Sequence, residues 1–160
     1  MPNGKAYHLY MDRKRSIQDT GDPHKNGKKA EVRTAAKLRG FGFSVKQMPQ
    51  RSPFDLLVQG KRIEVKHALP TSAGRWHVNL HRRNVLNESE VDAYVFLLDG
   101  IPGNNSAPIY LVAPAPLGKK TMDFSFMTLV RTYRNWVDSW TTIGEPDQKT
   151  ALWCDYLVRG

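Results

Sequence analysis

Cysteine is almost absent: Cys154 is the only one in 160 residues. A single thiol excludes an internal disulfide and a cysteine-rich zinc site, and it suits a reducing cytosol. Long apolar runs are missing too. None approaches the ~20 residues that cross a bilayer, so no membrane association is expected. The first residues, MPNGKAYHLYMDRKRS, lack the apolar core of a secretory signal, and a cytoplasmic location is the expectation. There is no internal repeat and no low-complexity tract. Acid is the scarcer charge: 24 Lys and Arg stand against 15 Asp and Glu, a net charge of +9. That balance points to a polyanionic partner, most often nucleic acid. Hydrophobic residues make up 40% of the chain, enough for the folded core of one domain with appendages.

The stretch SPFDLLVQGKRIEVKHA, Ser52 to Ala68, reads as two short strands joined by a tight turn at Gln59-Gly60. Alternate side chains of a strand share a face, so Glu64 and Lys66 project together while Ile63 and Val65 point to a core. The turn returns the second strand beside the first, which sets Asp55 alongside Glu64 and Lys66. Two carboxylates so placed form a hard oxygen site suited to Mg²⁺. An ion there acidifies water and offsets charge on a phosphodiester, and the lysine stabilises the same charge. The competing reading is a surface hairpin with an acid and a base on its wet face.

Pro53-Phe54-Asp55 followed by Glu64-Val65-Lys66 resembles the PD-(D/E)xK nuclease signature, with one residue inserted between the proline and the aspartate. That family precedes the hairpin with a helix that often carries a further glutamate. Lys28 to Arg39 supplies such a helix, rich in good helix formers, bearing Glu31 and stopped by Gly40. Its apolar face is expected at Val32, Ala35, Ala36 and Leu38, with Lys28, Lys29, Arg33, Lys37 and Arg39 in solvent. Phe41 to Val45 reads as the first strand. The resemblance implies Asp55 and Glu64 as catalytic metal ligands, with Val65 between the motif residues completing the metal set. It further implies Lys66 as the charge-stabilising or water-orienting group, Glu31 as accessory acid, and Mg²⁺ as cofactor with Mn²⁺ as substitute. Without the site role, Glu31 is an exposed helix acid paired with Lys28.

Further along, RWHVNLHRR (Arg75 to Arg83) alternates as a half-buried strand, with Trp76, Val78 and Leu80 inward. The histidines of that strand, and His67, read as structural. NESEVD is a polar turn feeding AYVFLL, a central strand buried on both faces. IYLV forms another strand, ended by Pro114 and Pro116. These texts resemble the subgroup containing group I intron homing endonucleases and archaeal-resolvase-like proteins, over roughly Gly27 to Pro114. The implied fold is α/β: a restriction-endonuclease-like core with a mixed central sheet of about five strands flanked by helices.

Three regions follow: a basic arm over 1–26, a nuclease core over 27–117, and a helical extension over 118–160. In the extension, Phe126, Val130, Tyr133, Val137 and Trp140 fall at helical spacing, which predicts one helix from Asp123 to Trp140, packed on the sheet or at a subunit interface. Ala151 to Leu157 adds a last helical turn or two. Candidate DNA contacts are Arg13, Lys14 and Arg15 in the arm, Gln47, Gln50, Arg51 and Ser52 before the hairpin, and Arg82 and Arg83 at the later strand end; the arm reads equally as a solvated tail.

The leading expectation is a Mg²⁺-dependent DNA endonuclease that hydrolyses phosphodiester bonds, a sequence-specific double-strand cutter of homing or restriction type. A Holliday-junction or branched-DNA resolvase uses the same site. A DNA-binding protein that keeps the fold without cutting is the other class. Partners are double-stranded or branched DNA and further copies of the chain, as a homodimer or larger homo-oligomer, in a prokaryotic, archaeal or phage setting.

Overall fold

The computed structural model describes residues 23–80, 88–100 and 107–147. Helix α1 covers Pro23–Gly40 and begins earlier than the sequence predicts, running through Gly27. Proline belongs in a first helical turn, where its missing N–H costs nothing. Glycine inside a helix costs about 1 kcal/mol relative to alanine, which packing of the next turns offsets. The buried stripe is Ala30, Thr34, Ala35 and Leu38, while Val32 and Ala36 are exposed. Small side chains thus set the contact face and let the backbone approach the sheet. The helix ends at Gly40, as the sequence predicts, and the residues after it close the cap. Gly42 takes φ 95°, and Phe43 N–H donates to Leu38 O at 3.0 Å while Gly42 N–H donates to Arg39 O at 2.9 Å. That is a Schellman end, with Phe43 and Leu38 as its apolar pair. Because Phe41 to Phe43 complete this cap, the first strand starts later than expected.

The strands are β1 (Val45–Gln47), β2 (Leu56–Val58), β3 (Lys61–Ala68), β4 (Trp76–Asn79), β5 (Ala93–Leu98), β6 (Ile109–Pro114) and β7 (Thr121–Phe124). Five form a mixed sheet in the order β1-β2-β3-β5-β6, with β3 and β5 parallel and the other neighbours antiparallel. A parallel pair needs a crossover, and the segment between β3 and β5 provides it. All of β5 is buried, as its unbroken apolar run predicts. One sheet face packs under α1 through Leu56, Ile63, Val65, Val95 and Leu97, together with Trp140 and Ile143. The other packs Tyr94, Phe96, Leu98 and Leu111 against Trp76, Val78, Met122 and Phe124.

That second layer corrects two expectations. Strand β4 keeps the predicted alternation, Trp76 and Val78 buried, His77 and Asn79 exposed, but it pairs with β7 in a separate two-stranded sheet. The long C-terminal helix does not form. Thr121–Phe124 alternates at a period of two, and the helix that follows, α2, spans only Phe126–Val130. Thr128, Val130, Thr132 and Tyr133 are poor helix formers. Tyr133 and Trp136 pack on the second core, while Val137 makes a bridge to Leu111 on the edge of β6. The apolar residues at helical spacing therefore serve different faces: Phe126 and Val130 are exposed and Trp140 is buried. Residues 121–143 belong to the same two cores as the rest of the chain. Ala151 to Leu157 lies outside the described residues.

Candidate active site

The β2–β3 hairpin builds the site. Its turn places Gln59 at φ 47° and Gly60 at φ 83°, the pair of positive φ values that a two-residue connection between twisted strands requires. The register pairs Leu56 with Ile63, so one step further Asp55 stands opposite Glu64. Directly opposed residues of an antiparallel pair project to one face. Asp55 N–H donates to Ile63 O at 3.0 Å, and Val65 N–H donates to Asp55 Oδ2 at 2.8 Å. The aspartate side chain thus replaces the backbone acceptor where β2 begins. Since N–H and C=O of one strand residue point the same way, the Val65 carbonyl opens to that same edge.

Asp55 and Glu64 are 6% and 5% exposed, and Lys66 Nζ meets Glu64 Oε1 at 3.0 Å. Buried charges persist only when paired or coordinated. Carboxylate and carbonyl oxygens gathered at one edge fit a hard divalent cation that keeps several waters. Among the described residues no three His, Cys, Asp or Glu side chains gather as a metal cage, so Asp55, Glu64 and the Val65 carbonyl are the donors the fold offers. Glu31 lies three and four residues before Thr34 and Ala35 on the sheet-facing stripe of α1, and its carboxylate meets Lys28 Nζ at 3.2 Å.

Around the trio, Tyr94 is the β5 neighbour of Glu64. Burial, then its hydrogen bond to Glu88, holds the Tyr94 phenol well above its ordinary range. Its hydroxyl donates to Glu88 Oε1 at 3.0 Å. Burial alone would raise the Glu88 carboxyl, but N–H donation from Leu117 and Gly118 outweighs it and holds that group low.

Gln50 and Arg51 are exposed, and Gln47 and Ser52 half-buried. They flank a loop closed at its base by Met48 N–H donating to Asp55 O at 2.9 Å, which ties the loop to the start of the hairpin. Arg13, Lys14, Arg15, Arg82 and Arg83 lie outside the described residues.

The sequence reading missed a second cluster. Arg33, expected in solvent, grips Asp99 with both guanidinium nitrogens at 2.5 and 3.1 Å. His67 Nε2 lies 3.1 Å from Asp99 Oδ2, and Trp76 Nε1–H donates to Asp99 O at 3.1 Å. The Arg33 hydrogen bond is the main reason the Asp99 carboxyl sits below its usual range. This cluster fastens α1 and β4 to the ends of β3 and β5, one residue past Lys66. The available signal was an aspartate closing a fully apolar strand.

Among the described residues no helix is long and apolar enough to cross a membrane. No protein-family model matches the sequence, and neither does any curated protein. The fold is similar to that of a bacterial homing endonuclease, I-Ssp6803I, with a TM-score of 0.57 and 17% identity over 77% of this chain and 93% of that one. At that identity the likeness establishes architecture: a mixed five-stranded α/β sheet of the kind a homing endonuclease uses.

Proposed function

We propose that the chain is a metal-dependent DNA endonuclease that cuts both strands at a preferred sequence. The observation that carries this reading is the buried Asp55–Glu64–Lys66 trio on one hairpin, in a basic chain whose fold is similar to that of a homing endonuclease. Asp55, Glu64 and the Val65 carbonyl would hold Mg²⁺ or Mn²⁺. Such an ion, when bound, acidifies a water and offsets charge on the phosphoryl oxygens.

The protein groups do the rest. Lys66 is held in place by Glu64 and is largely shielded from solvent, so its ammonium acts with little screening on the charge that grows during attack. Its N–H groups donate to the attacking water or to a non-bridging phosphate oxygen. The Val65 N–H fixes the Asp55 carboxylate, so the acids need no reorganisation. Gln50 and Arg51, in the loop that leads into Asp55, take the neighbouring phosphates. Glu31 serves as an accessory acid. Cutting two strands calls for two such sites, which makes a homodimer or larger assembly part of the reading.

Incubating the protein with linear duplex, supercoiled plasmid and a four-way junction, in Mg²⁺ and in EDTA, tests it. Cutting at one plasmid site in Mg²⁺ alone is the expected result. Preference for the junction converts the reading to a resolvase, and no cutting of any DNA overturns it.

A further inference from the structure

The outward face of the β4–β7 pair is unlike an ordinary wet sheet face. Its side chains form two cross-strand rows, His77 beside Asp123 and Asn79 beside Thr121, all exposed. His77 Nδ1 lies 2.8 Å from Asp123 Oδ1. Here the face carries short groups that donate and accept hydrogen bonds, and the long cations sit at the two ends. Arg75 precedes β4, while Lys119 and Lys120 precede β7, and all three are exposed. The antiparallel pairing, carried one step on by Leu80 N–H donating to Lys120 O, places Arg75 and the lysines at opposite ends.

We propose that this ribbon reads base edges in the major groove of duplex DNA through His77, Asn79, Thr121 and Asp123, with Arg75, Lys119 and Lys120 on the flanking phosphates. The inference rests on the nuclease reading and names the element that selects its substrate. Dimensions support it. The major groove of B-DNA, about 12 Å wide, admits a two-stranded ribbon, whose strands lie about 4.8 Å apart, and strands of four residues run about 13 Å along it. Chemistry supports it as well: asparagine pairs with adenine, a carboxylate accepts from the cytosine amino group, and threonine serves either base. RNA duplexes present a groove too deep and narrow for such reading. The ribbon also lies on the appropriate side, since its inner residues Trp76, Val78 and Met122 pack with Tyr94, the β5 neighbour of Glu64.

Selection of bound sequences from a randomised duplex pool in EDTA, using the full chain, tests the proposal. The parent should enrich one sequence. N79A/T121A, at two exposed positions outside the catalytic trio, should bind a fixed non-specific duplex within about twofold, yet lose preference at some base pairs by roughly tenfold or more. K119A/K120A should keep the preference and lower the salt slope by about two, near one per lost phosphate contact. Enrichment of the same sequence, as strongly, by N79A/T121A overturns the ribbon as reader. Binding by the parent without sequence preference also overturns it and leaves the nuclease reading intact. Sequence-selective binding without cutting in Mg²⁺ supports the ribbon and removes the nuclease; no DNA binding removes both.

Discussion

Asp55 and Glu64 face each other where β2 meets β3, and Lys66 pairs with Glu64. Two like charges held together raise the energy of the fold unless something positive joins them. Asp55→Asn removes one charge and keeps an oxygen to accept the Val65 N–H. In EDTA that variant should therefore melt at or above the parent temperature. Added Mg²⁺ should raise the melting temperature of the parent and leave the variant unmoved, because only a bound ligand shifts stability. A variant that melts several degrees lower in EDTA would show that the acid serves the fold rather than a cation. These residues were legible in the sequence because strand alternation and a short turn fix their relation locally. Arg33, Asp99 and His67 were not. Arg33 and Asp99 are 66 residues apart, and no local period relates them.

Elements were legible where one physical rule governed them. The β2–β3 hairpin, β5 and β6 follow from alternation, an apolar run and turn residues. Helix α1 was placed correctly but bounded poorly, because Pro23 and Gly27 read as breakers until a sheet is there to support the turns around them. Gly42, in the cap that follows Gly40, holds φ 95°, where a Cβ is strained. Gly42→Ala should cost about 1–2 kcal/mol in urea unfolding; no change would mean that the cap is made elsewhere. Phe96 is fully buried, with Tyr94 and Phe124 rings at 5.9 and 5.2 Å. Phe96→Ala should cost about 3–5 kcal/mol. The C-terminal stretch misled because Phe126, Val130 and Trp140 fit one stripe by spacing, while Ser125 caps a helix of only five residues and the ribbon and β6 claim the neighbours.

At the scale of the molecule, ion pairs tie the layers together and set the acid limit of stability. Asp92 is held at about 2 by hydrogen bonding from Arg62, and Asp99 is held below its ordinary value by Arg33. Both folded values are depressed, so the stabilisation is complete above the unfolded carboxylate range and is lost as pH falls through the folded values. Stability should drop between about pH 4 and pH 2. Asp92→Asn should show a shallower decline there together with lower stability at pH 7, measured by urea unfolding across pH. An unchanged slope would remove Asp92 from the account. Architecture was largely legible at this scale: a mixed sheet of about five strands was expected, and its pairings are short-range apart from one crossover. The second layer was not, because β4 and β7 lie far apart in the chain and each alone looks like a lone strand or a helix turn.

The most direct test of the central claim is cleavage of supercoiled plasmid in Mg²⁺ by the parent and by Glu64→Gln, each with its DNA affinity measured in EDTA. The parent should cut and the variant should lose at least about a hundredfold in rate, with affinity within about tenfold. A variant that cuts like its parent would contradict the assignment of the β2–β3 hairpin as the catalytic centre.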